Sequence, residues 1–275
     1  MNSRFQSRVV LTGYIKCKSG AKLEKEADSK PNSPDLYTLK DLSGMPYISG
    51  SNFKTFLRRQ VESLLKETLG PGFSCDSFNR EKACIRLGER SGEQKSEGGI
   101  YLQDLLDRFG EDDEGLIEAV EKHTCIACKL FGSQLVESQI VSEDLKPSAW
   151  GGQFTKGKRR AEEESEDEPA SIPDKFMIRV VLNNCEPWKR GLFIMGLSRA
   201  QNKLITLSTG RQAEQHIATI DELSVRSLES SRALYERLSK FEATDGVEVT
   251  TAQLQHWIAS LRDYLKLVAG YALAS

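Results

Sequence analysis

The sequence predicts an α+β fold, one domain carrying insertions, on three observations. Residues 8–18 alternate, with Val9, Leu11, Gly13, Ile15 and Cys17 on one face and Val10, Thr12, Tyr14, Lys16 and Lys18 on the other. That is the period of a strand with one apolar and one mixed face. The period then turns helical, and Phe53, Phe56, Leu57, Val61, Leu64, Leu65 and Leu69 share one side that must be buried. The same pair of patterns returns at residues 174–183 and from Pro187 onward. Strand, helix, strand, strand, helix, strand describes a ferredoxin-like (RRM-like) sheet with helices on one face.

Composition bounds the rest. At 275 residues and 39% apolar, the chain can bury a sizeable core, and it reads as globular. No apolar run approaches the roughly 18 to 20 residues of a membrane span. The start, Met1-Asn2-Ser3-Arg4-Phe5, lacks the apolar core of a signal peptide, so a soluble, cytoplasmic protein is expected. Six cysteines are too few for a disulfide scaffold at this length, and Cys125 and Cys128 form a C-x-x-C pair suited to metal or redox chemistry in a reducing compartment. The formal net charge of −2 hides an uneven distribution. Acid gathers at 111–114 and 162–168, while Lys54, Arg58 and Arg59, and again Lys156, Lys158, Arg159 and Arg160, form basic groups compatible with a local anion groove.

Taken in order, residues 19–34 are rich in Gly, Lys, Ser, Asn and Pro and read as a loop. Asp35 follows, then a short strand at 36–40 and Asp41. Residues 44–59 run Gly-Met-Pro-Tyr-Ile-Ser-Gly-Ser-Asn-Phe-Lys-Thr-Phe-Leu-Arg-Arg, a tight turn entering the first helix. Gly50-Ser51 occupies the expected N-cap, so the first amides and the helix dipole face outward. Lys54 and Arg58 stand at i and i+4 with Arg59 beside them, which reads as a phosphate site. The alternative is an ordinary capped helix with a solvated basic face. Gly70-Pro71-Gly72 stops the helix, and residues 73–99 are an insertion holding Cys75 and Cys84. Residues 100–122 have helical periodicity broken by an acidic turn at 110–114.

His123 precedes Cys125 and Cys128, and two thiols so spaced can reach one ion. His123 with Cys75 or Cys84 would complete a tetrahedral zinc site, whereas the alternative is a buried pair of free thiols with a core histidine. Residues 134–173, with Trp150 and Phe154, read as a surface excursion, partly disordered. The second helix carries Phe193, Leu197, Ala200 and Leu204 as a stripe and ends near Leu207, before Gly210 and Arg211. A strand-like stretch at 217–225 and two terminal helices follow, the last with Leu254, Trp257, Ile258, Leu261, Leu265 and Val268 on one face.

The wording of residues 44–58, Gly-x-Pro-Tyr-Ile-x-Gly-Ser-x-x-Lys-x-x-x-Arg, resembles the signature of the CRISPR-associated RAMP superfamily. Within it, the likeness is to backbone subunits of type III effector complexes. The usual form is Gly-x-Pro-Tyr-Ile-Pro-Gly-Ser-Ser-Leu-Lys-Gly-x-x-Arg. Here Ser49 replaces the proline, Asn52 the second serine, Phe53 the leucine and Thr55 the glycine, while Ser51, Lys54 and Arg58 are retained. The Cys-x-x-Cys-x-Leu-Phe-Gly-Ser wording at 125–133 resembles the same subunits, some of which carry zinc there.

The resemblance implies a protein that grips guide RNA (crRNA) through Ser51, Asn52, Lys54, Arg58 and Arg59, in a filament of copies of itself with other effector subunits. It makes 72–100 a lid-like insertion and 134–173 a thumb-like one, with Trp150 and Phe154 as stacking residues against the duplex with complementary target RNA. Arg211 would stand where the family grips guide RNA with a glycine-rich loop, here reduced to Gly210. It also implies target cleavage, aided by Mg2+, by a loop aspartate ahead of an acidic residue and the Pro-Tyr-Ile turn. Asp35, Asp41 and Pro46 match that order, with Asp28 the alternative. Two other readings remain: a silent backbone subunit that only spaces and grips the guide, and a zinc-dependent interaction domain without RNA.

Overall fold

The structure, a computed structural model, describes residues 7–22, 35–70, 73–76, 82–87, 100–110, 112–148, 173–209, 214–229 and 246–274. In chain order the elements are β1 (Ser7–Lys22), β2 (Leu36–Lys40), β3 (Pro46–Tyr47), α1 (Gly50–Leu69), β4 (Ile85–Arg86), β5 (Ile100–Tyr101), α2 (Leu102–Phe109), α3 (Asp113–His123) and α4 (Ile126–Phe131). They continue with β6 (Ile140–Ser142), β7 (Lys175–Asn183), α5 (Pro187–Gln201), β8 (Ile205–Thr209), β9 (Glu214–Glu229), β10 (Val247–Glu248) and α6 (Thr251–Ala274).

The alternation that predicted β1 sets the sheet. Val9, Leu11 and Ile15 are buried on one face, in register with Leu182, Val180 and Phe176 of the antiparallel β7. On its other edge β1 pairs antiparallel with β9, and the sheet runs β3-β2-β8-β9-β1-β7-β6 with β10 on β9. Within this sheet only β2, parallel to β8, departs from antiparallel pairing, and β4 and β5 form a separate parallel pair. A bulge opposite Gly13 interrupts the β1–β9 register, and Glu222 there takes φ 53°. A Cβ on residue 13 would sit 2.6 Å from Leu223 Cδ2, so the strands close at this point only around glycine.

The core face is covered by α1, α5 and α6, which makes a mixed α/β architecture with six helices among the described residues. Phe53, Phe56, Leu57, Val61 and Leu65 of α1 are buried as their spacing predicts. A Cβ on Gly196 would lie 2.3 Å from Val61 Cγ2, so α5 meets α1 at a point where no side chain fits. The α6 stripe buries Trp257 and Leu261, and Tyr264 stacks on Trp188 with centroids 3.9 Å apart. Among the described residues, no helix is long and apolar enough to cross a membrane.

Several expectations change. The first strand continues to Lys22; residues 23–34, with Asp28, lie outside the described residues. Helix α1 is capped by Ser49, not Gly50-Ser51: Ser49 is extended (φ −63°, ψ 141°) and its Oγ accepts from Asn52 N, as an N-cap does. The 134–173 excursion begins later than predicted, because Ile140–Ser142 is an edge strand on β7 and Leu145 exchanges backbone hydrogen bonds with Ile48. Ile140 and Leu145 are both buried, so this polar-looking stretch is anchored by two apolar residues. Helix α5 ends at Gln201, not near Leu207, leaving Leu204 56% exposed while Ile205 starts β8. Of the two terminal helices, α6 is present, and residues 230–245 lie outside the described residues.

Candidate metal centre and polynucleotide site

The turn into α1 is held by its own side chains. Asp41 accepts from Ser43 N at 2.8 Å, Ser43 Oγ at 2.6 Å and Met45 N at 2.9 Å, and the Ser43 hydroxyl and Met45 amide keep its carboxyl below the usual range. Leu42, at the tip, is fully exposed. Asp41 is thus the former of the β2–β3 turn.

The first turn of α1 is less open to an anion than the sequence suggests. Gly50 N donates to Asp144 Oδ1 at 2.8 Å, and Asn52 N donates to Ser49 Oγ at 3.3 Å. A carboxylate of this chain therefore already sits on the helix N-terminus, where the dipole favours it. Ser51 is exposed, with its Oγ 3.2 Å from Ser49 Oγ. Asn52 is half-buried and accepts from Tyr37 N at 3.4 Å, tying α1 to β2. Lys54 is half-buried and donates to Ser138 Oγ at 2.6 Å; burial and then the nearby Arg58 charge pull its ammonium below the ordinary value. Arg59 is exposed.

Arg58 departs most from expectation. It is 8% exposed and faces inward, and all three arms of its fork are engaged. Nε donates to Glu62 Oε1 at 2.7 Å, Nη1 to Gly132 O at 2.8 Å and Nη2 to Cys128 Sγ at 2.9 Å. Burial opposes its charge, but the Cys128 sulfur and Glu62 outweigh it and raise the guanidinium above its ordinary value. Burial pushes the Glu62 carboxyl up against the opposing pull of Arg58. Ser51, Lys54 and Arg58 therefore do not converge on one outer spot in this structure.

Beneath Arg58, Cys75, Cys84, Cys125 and Cys128 bring their sulfurs within 4.8 Å of one another. Cys75 Sγ lies 3.4 Å from Cys128 Sγ and 3.5 Å from Cys125 Sγ. A tetrahedral zinc with Zn–S bonds of about 2.3 Å separates its sulfurs by roughly 3.8 Å, so four thiolates at this spacing suit such an ion. Cys125 caps α4, its sulfur 3.5 Å from Cys128 N. Cys128, Cys75 and Cys84 all turn toward the Cys125 sulfur and hold its thiol well below the usual range; Cys128 is correspondingly pushed up by bonding to it. A cavity of about 210 Å³ opens beside the cluster between Cys75, Cys84, Leu87 and Ser133. His123, expected as a ligand, is exposed at the end of α3 and is not among the four. The intervening residue Thr124 turns the chain, bonding back to Val120 O, which separates the imidazole from the sulfurs.

Asp35 opens β2. Its Oδ1 accepts from Lys203 Nζ at 2.9 Å, and its Oδ2 accepts from Thr206 N and Thr206 Oγ1, both at 3.1 Å. Asp35 N donates to Thr206 Oγ1 at 2.9 Å, so the residue clips β2 to β8. Among the described residues, the thiol set is the one group of three or more metal-ligating side chains. Asp35 belongs to no such group, and an ammonium sits on one of its oxygens. Trp150, Phe154 and Arg211 lie outside the described residues.

Sequence reasoning missed Asp144, Glu62, Lys203 and Thr206. Of these only Glu62 left a signal, four residues after Arg58 on a helix. The others meet their partners across 94 to 171 residues of chain.

The sequence matches no family model and no curated protein. The structure is similar to a chain of the Csm3-Csm4 subcomplex of a type III-A CRISPR-Cas interference complex, at 14% identity and TM-score 0.41, covering 94% of this chain and 97% of that one. It is also similar to Methanopyrus kandleri Csm3 (12% identity, TM-score 0.43, 95% and 98% covered) and to Thermofilum pendens Csc2 (12%, 0.33, 98% and 89%).

Proposed function

We propose that this chain is an RNA-gripping backbone subunit of a type III CRISPR effector complex, built on a ferredoxin-like sheet. The observation that carries the reading is the pairing order β9-β1-β7-β6. With α1 after β1 and α5 after β7, that order supports reading β1, β6, β7 and β9 as the four strands of a split β-α-β-β-α-β unit, with β2, β3 and β8 added to it. The signature turn enters the first crossover helix of that unit, where the RAMP likeness requires it. Ser51, Asn52, Lys54 and Arg59 are the candidate contacts to guide RNA on the described surface. Trp150, Phe154 and Arg211 join them by resemblance. Base pairing would select the target, with the protein holding backbone and shape. The test is binding of single-stranded RNA over a salt series. Affinity that falls steeply with salt, and a slope that drops by about one when Lys54 is replaced by alanine, support the reading; no binding at low salt overturns it.

Within that function the geometry favours a silent backbone over a cleaving one, because Asp35 Oδ2 serves the β2–β8 clip and Oδ1 is taken by Lys203. Cleavage is the second reading, favoured by the half-exposed Lys203 ammonium beside the carboxylate, a pair suited to moving a proton at a 2′-hydroxyl. Incubating assembled complex with complementary RNA and Mg2+ separates them. Cleavage lost in Asp35→Asn, with guide binding retained, selects the cleaving reading.

The four cysteines are proposed to hold Zn2+ as a structural ion, joining residues 73–76 and 82–87 to α4. One equivalent of zinc in the purified protein, lost in Cys125→Ser, is expected; a metal-free wild type sinks this assignment.

A further inference from the structure

We infer that Arg58, the last residue of the signature, is a positioning residue for the thiolate centre rather than a ligand for phosphate. The inference rests on the proposed zinc reading of the four cysteines. A zinc ion with four thiolates carries two net negative charges, and such a centre needs donors aimed at its sulfurs when water is excluded. Arg58 provides one: Nη2 stands 2.9 Å from Cys128 Sγ. Its Nη1 bonds to Gly132 O at 2.8 Å, four residues further along the same segment. One planar group thus holds both a ligand and the backbone that carries it.

The backbone it holds cannot shift freely. Gly132 has φ +83°, and a Cβ there would lie 2.8 Å from Ser138 N and 2.9 Å from Val136 O. Ser138 in turn accepts from Lys54 Nζ at 2.6 Å and donates to Ile140 O at 2.9 Å. Two cations one turn apart on α1 therefore grip the segment from Cys128 to the start of β6. Glu62, on Nε, fixes the fork's orientation. A lysine, with one point charge, cannot reproduce three arms.

The experiment uses the full chain loaded with Zn2+, and compares wild type, Arg58→Gln and Arg58→Lys. Zinc affinity is read by competition with a chromophoric chelator, and the sulfur-to-metal charge-transfer band after Co2+ replacement. Expected are an affinity loss of about 10- to 100-fold in Arg58→Gln, a displaced cobalt band, and partial recovery of both in Arg58→Lys. The salt slope for RNA binding stays at the wild-type value in both variants. If wild type binds no zinc, the metal reading itself fails. If wild type binds zinc and Arg58→Gln matches its affinity and cobalt spectrum, the inference fails while the metal reading stands. A salt slope reduced by about one in either variant returns Arg58 to the role of phosphate ligand and overturns the proposal. Should Arg58→Gln not fold, Arg58→Lys decides by the same readings.

Discussion

Each of the two helices that cross the sheet buries one arginine, and the two are housed in different chemistry. Arg58 on α1 is held by a carboxylate, a carbonyl and a sulfur. Arg190 on α5 is 7% exposed; its Nε donates to Cys185 O at 2.8 Å, its Nη2 to Ser7 Oγ at 2.7 Å, and it lies 5.3 Å from the Trp257 ring centroid. A carbonyl, a hydroxyl and an indole keep their character across conditions. A sulfur changes charge with metal and oxidation. Arg58 is thus tied to a group that responds to its surroundings, whereas these three partners of Arg190 do not.

The sharpest way to break that contrast is to remove each arginine. Arg58→Ala leaves Glu62 buried without its partner and should cost about 3–5 kcal/mol in urea unfolding, whereas Arg190→Ala should cost about 1.5–3 kcal/mol for its lost charged hydrogen bonds. Replacing Arg58 and Glu62 together by methionine should recover much of the first loss, and failure to recover would assign the cost to the sulfurs. Next in size, Gly191→Ala puts a Cβ 2.3 Å from Trp257 O and should cost about 1–3 kcal/mol by parting α5 from α6. The thermal midpoint should fall while zinc content is unchanged.

Thiol reactivity separates the same two regions without touching stability. Burial raises the thiols of Cys17 and Cys185 to about 12, so at pH 8 an alkylating reagent should spare both. In metal-stripped protein the four clustered cysteines, whose sulfurs lie within 4.8 Å of one another and can share a thiolate, should react ahead of both, as peptide mapping by mass spectrometry would record. The smallest effect belongs to the surface link between the helices. Arg199 grips Glu67 with Nη1 and Nη2, both at 2.6 Å, and the Arg199 bonds, then Ser63, hold that carboxyl below its usual range. Because water screens the pair, Arg199→Ala should move the midpoint by no more than about a degree or two.

How much was legible follows from which physics is local. The helical stripe of Phe53, Phe56, Leu57 and Val61 and the alternation of Val9, Leu11 and Ile15 are local, and both landed on the core. Cys125 and Cys128 announced a cluster by spacing, and Cys75 and Cys84 joined them. His123 looked equivalent because sequence distance does not report that Thr124 turns the chain. Arg58 looked exposed because it follows Lys54 at one helical turn, yet Leu57 and Val61 beside it are buried, and the wide apolar face carried it inward. The contacts of Asp35 could not be read: its bonds to Thr206 and Lys203 depend on the β2–β8 pairing. Edge strands as short as β6 left only Ile140 and Leu145 as signals among polar neighbours.

The parallel pairing of β2 with β8 joins Leu36 to Leu207 and Thr38 to Thr209. Its partners are separated by most of the polypeptide, so during synthesis this edge waits for α5 and β8 to leave the ribosome. The hairpin bearing Leu42 and the Pro-Tyr-Ile turn is hung on that late-forming edge. A nascent or truncated product ending before Ile205 would carry the β2–β3 hairpin without the strand that β2 pairs with, leaving the turn held through Ile48, Gly50 and the buried face of α1.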